Sequence, residues 1–136
     1  MTGSAERKVL LDTSVIIEPP LHGTASFADL VSVSAVTVGE LHYGVGASKD
    51  PVEQLYRRQR LDLVLDDYDV LPFDVAVAER YGLLANIVRQ AGRNPRPRRM
   101  DLLIAATAVR HGFALATRNA EDLRHLHRVL KVIEVQ

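Results

Sequence analysis

Four carboxylates occur in or beside segments whose composition calls for burial: Asp12, Glu40, Asp101 and Asp122. Asp12 ends the apolar run Lys8–Leu11, and Glu40 stands between Val38 and Leu41. Asp101 opens the apolar stretch Met100–His111, and Asp122 follows the small-residue run that ends at Thr117. Carboxylates gathered in a partly buried place repel one another and lose hydration, so they must protonate or hold a compensating cation. The chain has no cysteine. An all-oxygen donor set of this kind suits a hard ion, Mg²⁺ with Mn²⁺ as a substitute. Such an ion stabilises the charge of a phosphoryl transition state and lowers the pKa of bound water. That chemistry needs no histidine or serine nucleophile.

Taken singly, each acid also has a structural reading. Asp12 could satisfy backbone donors at a strand-to-helix turn. Thr37-x-x-Glu40 has the form of a capping box, and Asp101 and Asp122 would each suit the positive end of a helix. The combination is what points to a cation. Beside it, Arg93, Arg96, Arg98 and Arg99 fall within seven residues just before Asp101. Such a cluster either holds phosphates or is a solvated loop that keeps the protein soluble.

The remaining candidates carry less. The five histidines show no metal-ligand spacing, and His125-x-His127 reads as a surface pair. Asp66-Asp67-Tyr68-Asp69 lacks the glycine and terminal glutamate of a calcium loop and reads as a solvated turn. Asp74 reads as a helix N-cap, and Tyr56, Tyr68 and Tyr81 are assigned to packing.

These residues need elements to position them. Short apolar runs predict strands at Lys8–Leu11, Leu30–Val33, Asp69–Phe73, Phe113–Ala116 and Val129–Val135. Helical spacing predicts helices over Ser34–Ala47, from Pro51 through Leu65, from Asp74 to Gly92, over Met100–His111 and over Asn119–Leu126. Arg93–Arg99 is a Pro- and Arg-rich loop. Strands alternating with helices imply an α/β domain around a mostly parallel sheet of about five strands. Ligands of such sheets gather beyond the carboxyl ends of the strands, where Asp12 and the Thr117–Asp122 segment would lie.

The 136 residues are read as a single domain, 1–136, without repeats or low-complexity segments. At 47% hydrophobic and 25% charged, the composition is that of a folded protein with one core. No apolar run reaches the length of a membrane span, Met1–Lys8 is polar without a signal-peptide core, and a cytoplasmic location is expected. Seventeen basic residues balance seventeen acidic ones, which taken alone argues against a nucleic-acid partner. The distribution argues for one. Residues 1–90 hold eight basic and thirteen acidic residues, whereas 91–136 hold nine basic and four acidic. Fourteen of the cations are arginine, whose planar fork suits phosphate.

Four blocks carry a family resemblance: Leu10-Leu11-Asp12-Thr13-Ser14-Val15-Ile16-Ile17, Ser34-Ala35-Val36-Thr37-Val38-Gly39-Glu40-Leu41, Met100-Asp101-Leu102-Leu103-Ile104-Ala105-Ala106-Thr107-Ala108 and Ala116-Thr117-Arg118-Asn119-Ala120-Glu121-Asp122-Leu123. In this order they resemble the PIN-domain ribonucleases, specifically the VapC-type toxins of type II toxin–antitoxin (VapBC) systems, over almost the whole chain. The resemblance implies a PIN-like three-layer α/β/α sandwich with an acidic pocket for Mg²⁺ or Mn²⁺. It implies an endoribonuclease that hydrolyses RNA through a metal-activated water, leaving 5′-phosphate and 3′-hydroxyl ends. Asp12, Glu40 and Asp101 then take the first three acidic roles and Asp122 the fourth. Thr13 or Ser14 would orient the first carboxylate, with Thr117 and Asn119 as polar support. The last block departs from the family's common Thr-Arg-Asn-x-x-Asp-Phe, since Leu123 replaces the aromatic, which leaves Glu121 and Asn119 as alternatives to Asp122. Arg96, Arg98, Arg99 and Arg118 would hold RNA phosphates at the rim. The implied partners are RNA, a cognate VapB-type antitoxin and a second copy, in a homodimer and in a heterotetramer or larger assembly with antitoxin.

Other phosphate enzymes lack support. There is no second aspartate after Asp12 as in haloacid-dehalogenase-like phosphatases, and no G-x-x-x-x-G-K-[ST] loop. A receiver-like signalling domain would need an acidic pair after the first strand and a late lysine in its motif. The alternative from another class is a PIN-like module that binds RNA or a partner without catalysis.

Overall fold

A computed structural model of the chain describes residues 5–136. The first half of the polar segment Met1–Lys8 lies outside the described residues. Five strands form one sheet: β1 (Lys8–Leu11), β2 (Leu30–Ser34), β3 (Asp69–Leu71), β4 (Ala114–Thr117) and β5 (Val132–Glu134). Their spatial order is β3-β2-β1-β4-β5, and every pairing is parallel. Five α-helices cover the sheet: α1 (Thr13–Ile17), α2 (Ala35–Ala47), α3 (Pro51–Asp67), α4 (Val75–Gln90) and α5 (Arg99–His111).

Alternation along β1 divides the core in two. Leu10 points to the layer of α4 and α5, with Val77, Leu84, Val88, Leu102 and Leu115. Val9 and Leu11 point the other way, into Val15, Ile16, Val33, Leu41, Leu61 and Val64 of the α1–α3 side. Both faces are therefore apolar and covered, as a parallel sheet requires. The result is the α/β/α sandwich that the resemblance implies.

The local signals act as physical chemistry expects. Asp74 Oδ1 accepts the Val77 amide at 3.0 Å and caps α4. Pro51 occupies the first turn of α3, and Asp50 accepts from the Val52 amide. Gly112 takes φ +72° after α5, so Phe113 N–H can return to Ala108 O at 2.9 Å.

Several expectations are corrected. The N-cap of α2 is Ser34, whose Oγ accepts from Val36 N, so Thr37-x-x-Glu40 is no capping box. Thr37 is instead buried in the first turn. By contrast, the strand-to-helix turn at Asp12 is found as read, with Thr13–Ile17 forming the short helix α1. The last strand is only Val132–Glu134, because Val129 N–H and Leu130 N–H turn back to Leu126 O. The arginine loop contains a 3-10 turn at Arg96–Arg98, and Asn119–Leu126 is realised as a 3-10 helix over Ala120–Leu126. Tyr56 is 66% exposed on α3 and does not pack, whereas Tyr68 and Tyr81 do.

Candidate active site

The sheet reverses its winding between β1 and β4, and at such a point the loops beyond the strands diverge and leave a crevice. Asp12 follows β1 and donates its amide to Ala116 O of β4 at 2.9 Å, so the two strand ends are locked side by side. Asp12 is only 5% exposed. Its side chain does not cap α1. Oδ2 instead accepts two hydroxyls, Ser14 Oγ at 2.7 Å and Thr117 Oγ1 at 2.9 Å.

Both hydroxyls are themselves supplied with donors. The Arg118 amide donates to Ser14 Oγ at 3.1 Å, and the Asn119 amide donates to Thr117 Oγ1 at 3.1 Å. Each hydroxyl thus receives a backbone proton and turns its own proton onto the same carboxylate oxygen. Among the described residues, none donates a hydrogen bond to Oδ1.

Glu40 is held from the neighbouring helix. Thr13 Oγ1 donates to Glu40 Oε1 at 2.7 Å and lies 3.0 Å from Thr37 Oγ1. The two residues expected to serve the first carboxylate therefore divide: Ser14 serves Asp12, and Thr13 serves Glu40. Thr37 was not anticipated as a site residue, and its only sequence signal was a Thr beside an acid in an apolar helix.

Asp101 stands in the first turn of α5. Burial pushes its carboxyl up to about 6, with the charge of Asp12 next and those of Glu40 and Asp122 adding to it, while Arg98 opposes the rise. Four acids distant in sequence therefore act on one another in space. Asp122 is paired with Arg98 at 3.0 Å. Glu121 is 80% exposed at its side chain and pairs with Arg124, and the Asn119 side chain makes no capping bond. Of the three alternatives for a fourth acid, Asp122 is the one coupled to Asp101.

The arginines separate too. Arg98 is exposed but is paired with a carboxylate. Arg118 Nε donates to Glu18 O at 2.8 Å and lies 3.5 Å from its carboxylate. Arg96 and Arg99 are exposed without an ion pair among the described residues.

The donor set suits a hard divalent cation: mutual repulsion around Asp101, an oxygen of Asp12 without a donor among the described residues, and no sulfur or imidazole in the cluster. Among the described residues, no three acidic or imidazole groups converge closely enough to hold an ion as they stand. Arg98, drawn to Asp122, supplies the nearest positive charge instead.

Comparisons with known proteins show the family. The PIN domain family model matches residues 9–129. Ribonuclease VapC4 of Mycobacterium tuberculosis is 38% identical over 116 residues, covering 83% of this chain and 87% of that protein. VapC ribonuclease Y4jK of Sinorhizobium fredii is 33% identical over 123 residues, covering 82% and 86%. The crystal structure of VapBC-5 from Mycobacterium tuberculosis, a member of the VapBC family of toxin–antitoxin systems, matches with TM-score 0.80 at 29% identity over 95% of this chain and 98% of that one. The chain belongs to the PIN-domain family, among its VapC-type toxins.

Proposed function

We propose that the protein is a metal-dependent endoribonuclease, the toxin of a toxin–antitoxin pair, with 1–136 working as a single PIN domain. The observation that carries this reading is the placement of buried Asp12 beyond β1, its Oδ2 held by Ser14 and Thr117, with Glu40 held by Thr13 from the same turn and Asp101 and Asp122 close enough to act on one another. Relatives of the chain are named ribonucleases, which supports RNA as the substrate.

Asp12, Glu40, Asp101 and Asp122 would hold Mg²⁺, or Mn²⁺ in its place. When bound, the ion offsets charge on the phosphoryl oxygens and acidifies a water molecule. Water attacks phosphorus in line with the leaving 3′ oxygen. A carboxylate of the cluster takes its proton, the P–O3′ bond breaks, and the 3′ oxygen is protonated. The products carry 5′-phosphate and 3′-hydroxyl ends. Ser14 and Thr117 hold Asp12 in orientation, Thr13 does so for Glu40, and the loop amides of Arg118 and Asn119 fix the two hydroxyls. Arg96, Arg99 and Arg118 serve RNA phosphates at the rim, and Arg98 joins them on leaving Asp122.

A cognate VapB-type antitoxin and a second copy complete the assembly, as a homodimer and as a larger complex with antitoxin. Exposed apolar residues support such partners. Tyr43 and Met100 border a mostly apolar cavity of about 570 Å³ that includes Glu40, and Ile17 is exposed nearby on α1. Among the described residues no helix is long and apolar enough to cross a membrane. The cytoplasm, where RNA is abundant, is the proposed place of action.

Mapping RNA ends after brief expression tests the reading. Wild type should generate new 5′-phosphate ends, and Asp101→Asn should lower cleavage by on the order of a hundredfold. A folded Asp101→Asn protein that cuts at the wild-type rate would refute the assignment. A folded wild type that binds RNA without cutting it would favour the non-catalytic binding module.

A further inference from the structure

Next to the acidic cluster lies a depression of opposite character. A cavity of about 310 Å³ opens between the last turns of α4, the segment that follows it and the 3-10 helix Ala120–Leu126. Val88, Pro97 and Leu102 form an apolar floor, while Arg93, Asn94, Arg124 and His125 form a polar wall. Arg98 and Asp122, joined at 3.0 Å, make the side shared with the acidic cluster. Three guanidinium groups thus face the cavity against one carboxylate.

Two of these groups have unused capacity. Arg93 has no ion pair among the described residues. His125 Nε2 has no hydrogen-bond partner. A buried ring nitrogen without a partner is uncommon, because it has lost water and gained nothing in return. This overturns the reading of His125 as one of a surface pair.

We infer that this cavity takes one nucleotide of the RNA strand, adjacent to the phosphodiester placed at the acids. This rests on the ribonuclease reading above. The phosphate lies on Arg93, which has no ion pair among the described residues, and on Arg124 once it exchanges its exposed pair with Glu121 for phosphate oxygens. The base covers the apolar floor, and its edge meets Asn94 and His125. Single-stranded RNA is recognised in this way, by splayed bases laid on flat or apolar surfaces with their edges hydrogen-bonded. The volume stands at the lower end of ligand pockets, enough for a single unit of the strand. A simple anion would leave the floor uncovered. An acidic peptide would meet the repulsion of Asp122 and the acids behind it.

The test uses the metal-free protein, so that binding is read apart from cleavage. Resonances are followed by NMR during titration with the four 5′-mononucleotides, inorganic phosphate and a short glutamate-rich peptide. At least one mononucleotide should shift Arg93, Asn94, Arg124 and His125 and bind about fivefold or more tightly than phosphate. Arg93→Ser, at an exposed position, should weaken it by about fivefold, as should His125→Leu. If His125→Leu does not fold, Arg93→Ser carries the test. No shift with any mononucleotide overturns the inference. So does phosphate binding as tightly as every nucleotide, or preference for the peptide. The two readings fail separately: RNA cleavage without mononucleotide binding sinks the pocket alone, and mononucleotide binding without cleavage sinks the ribonuclease reading.

Discussion

Asp12 Oδ2 receives two hydroxyl protons because the loop after β4 leaves those hydroxyls no other acceptor so well placed. The Thr117 hydroxyl is the more enclosed of the two, on a residue 1% exposed. Thr117→Val keeps the shape and removes the donor. It should weaken Mn²⁺ binding by roughly tenfold in calorimetry, as loss of an outer-shell partner does, while Thr117→Ser restores it. An equal effect of Val and Ser would indicate packing in place of orientation. Arg98 belongs to the same scale. Its ion pair with Asp122 is partly exposed and contributes little to stability, so a cation or a phosphate can separate the two at small cost. The acids and both hydroxyls stood out in the sequence as candidates for a site. The pairing of Arg98 with Asp122 did not, since the arginine run gives no sign of which cation meets an acid.

Helix starts and stops are local, and they were read well wherever the deciding atoms lie within one turn. Asp74 is the plainest instance, with its carboxylate on the Val77 amide. Asp74→Ala should lower stability by about 1 kcal/mol in urea unfolding without altering RNA cleavage, because the capped end of α4 contributes no residue to the acidic cluster. A loss of cleavage at unchanged stability would contradict that division. Two misreadings have one cause. Thr37-x-x-Glu40 matches a capping box by type and spacing, yet Ser34 begins the helix one turn earlier, at the end of β2. Val129–Val135 is a mostly apolar run that reads as a strand throughout, yet only Val132–Glu134 finds a partner in β4. Pattern marks what a segment can do; hydrogen-bond partners elsewhere decide its bounds.

At the scale of the molecule, gathering four carboxylates opposes folding until a cation arrives. Asp101 holds its proton up to about 6 in the folded chain, against an ordinary value of 3.8. Between these values the folded state binds more protons than the unfolded state, so this group's contribution to stability falls as pH rises through the window. The metal-free protein should therefore melt at higher temperature at pH 5 than at pH 7 relative to Asp101→Asn. After allowance for solvent screening, the difference should be about 1 kcal/mol. Mg²⁺ at pH 7 should raise the wild-type melting temperature more than that of Asp101→Asn. Parallel melting of the two proteins across pH 5–7 would show that Asp101 carries no such burden.

The sequence by itself determined the alternation of strands and helices, the parallel sheet and the chain's family, and it marked four candidate acids, because each depends on local pattern or residue type. It also showed the separation of charge between the two parts of the chain. Only the tertiary structure decided which hydroxyl serves which acid, that Asp122 and not Glu121 acts on Asp101, and that Arg98 pairs with Asp122. It alone revealed the basic cavity floored by Val88, Pro97 and Leu102. The physical reason is range. Hydrogen bonds and Coulomb energies depend on distances between groups about a hundred residues apart along the chain, such as Ser14 and Arg118, and the winding of β1 and β4 side by side is what sets those distances.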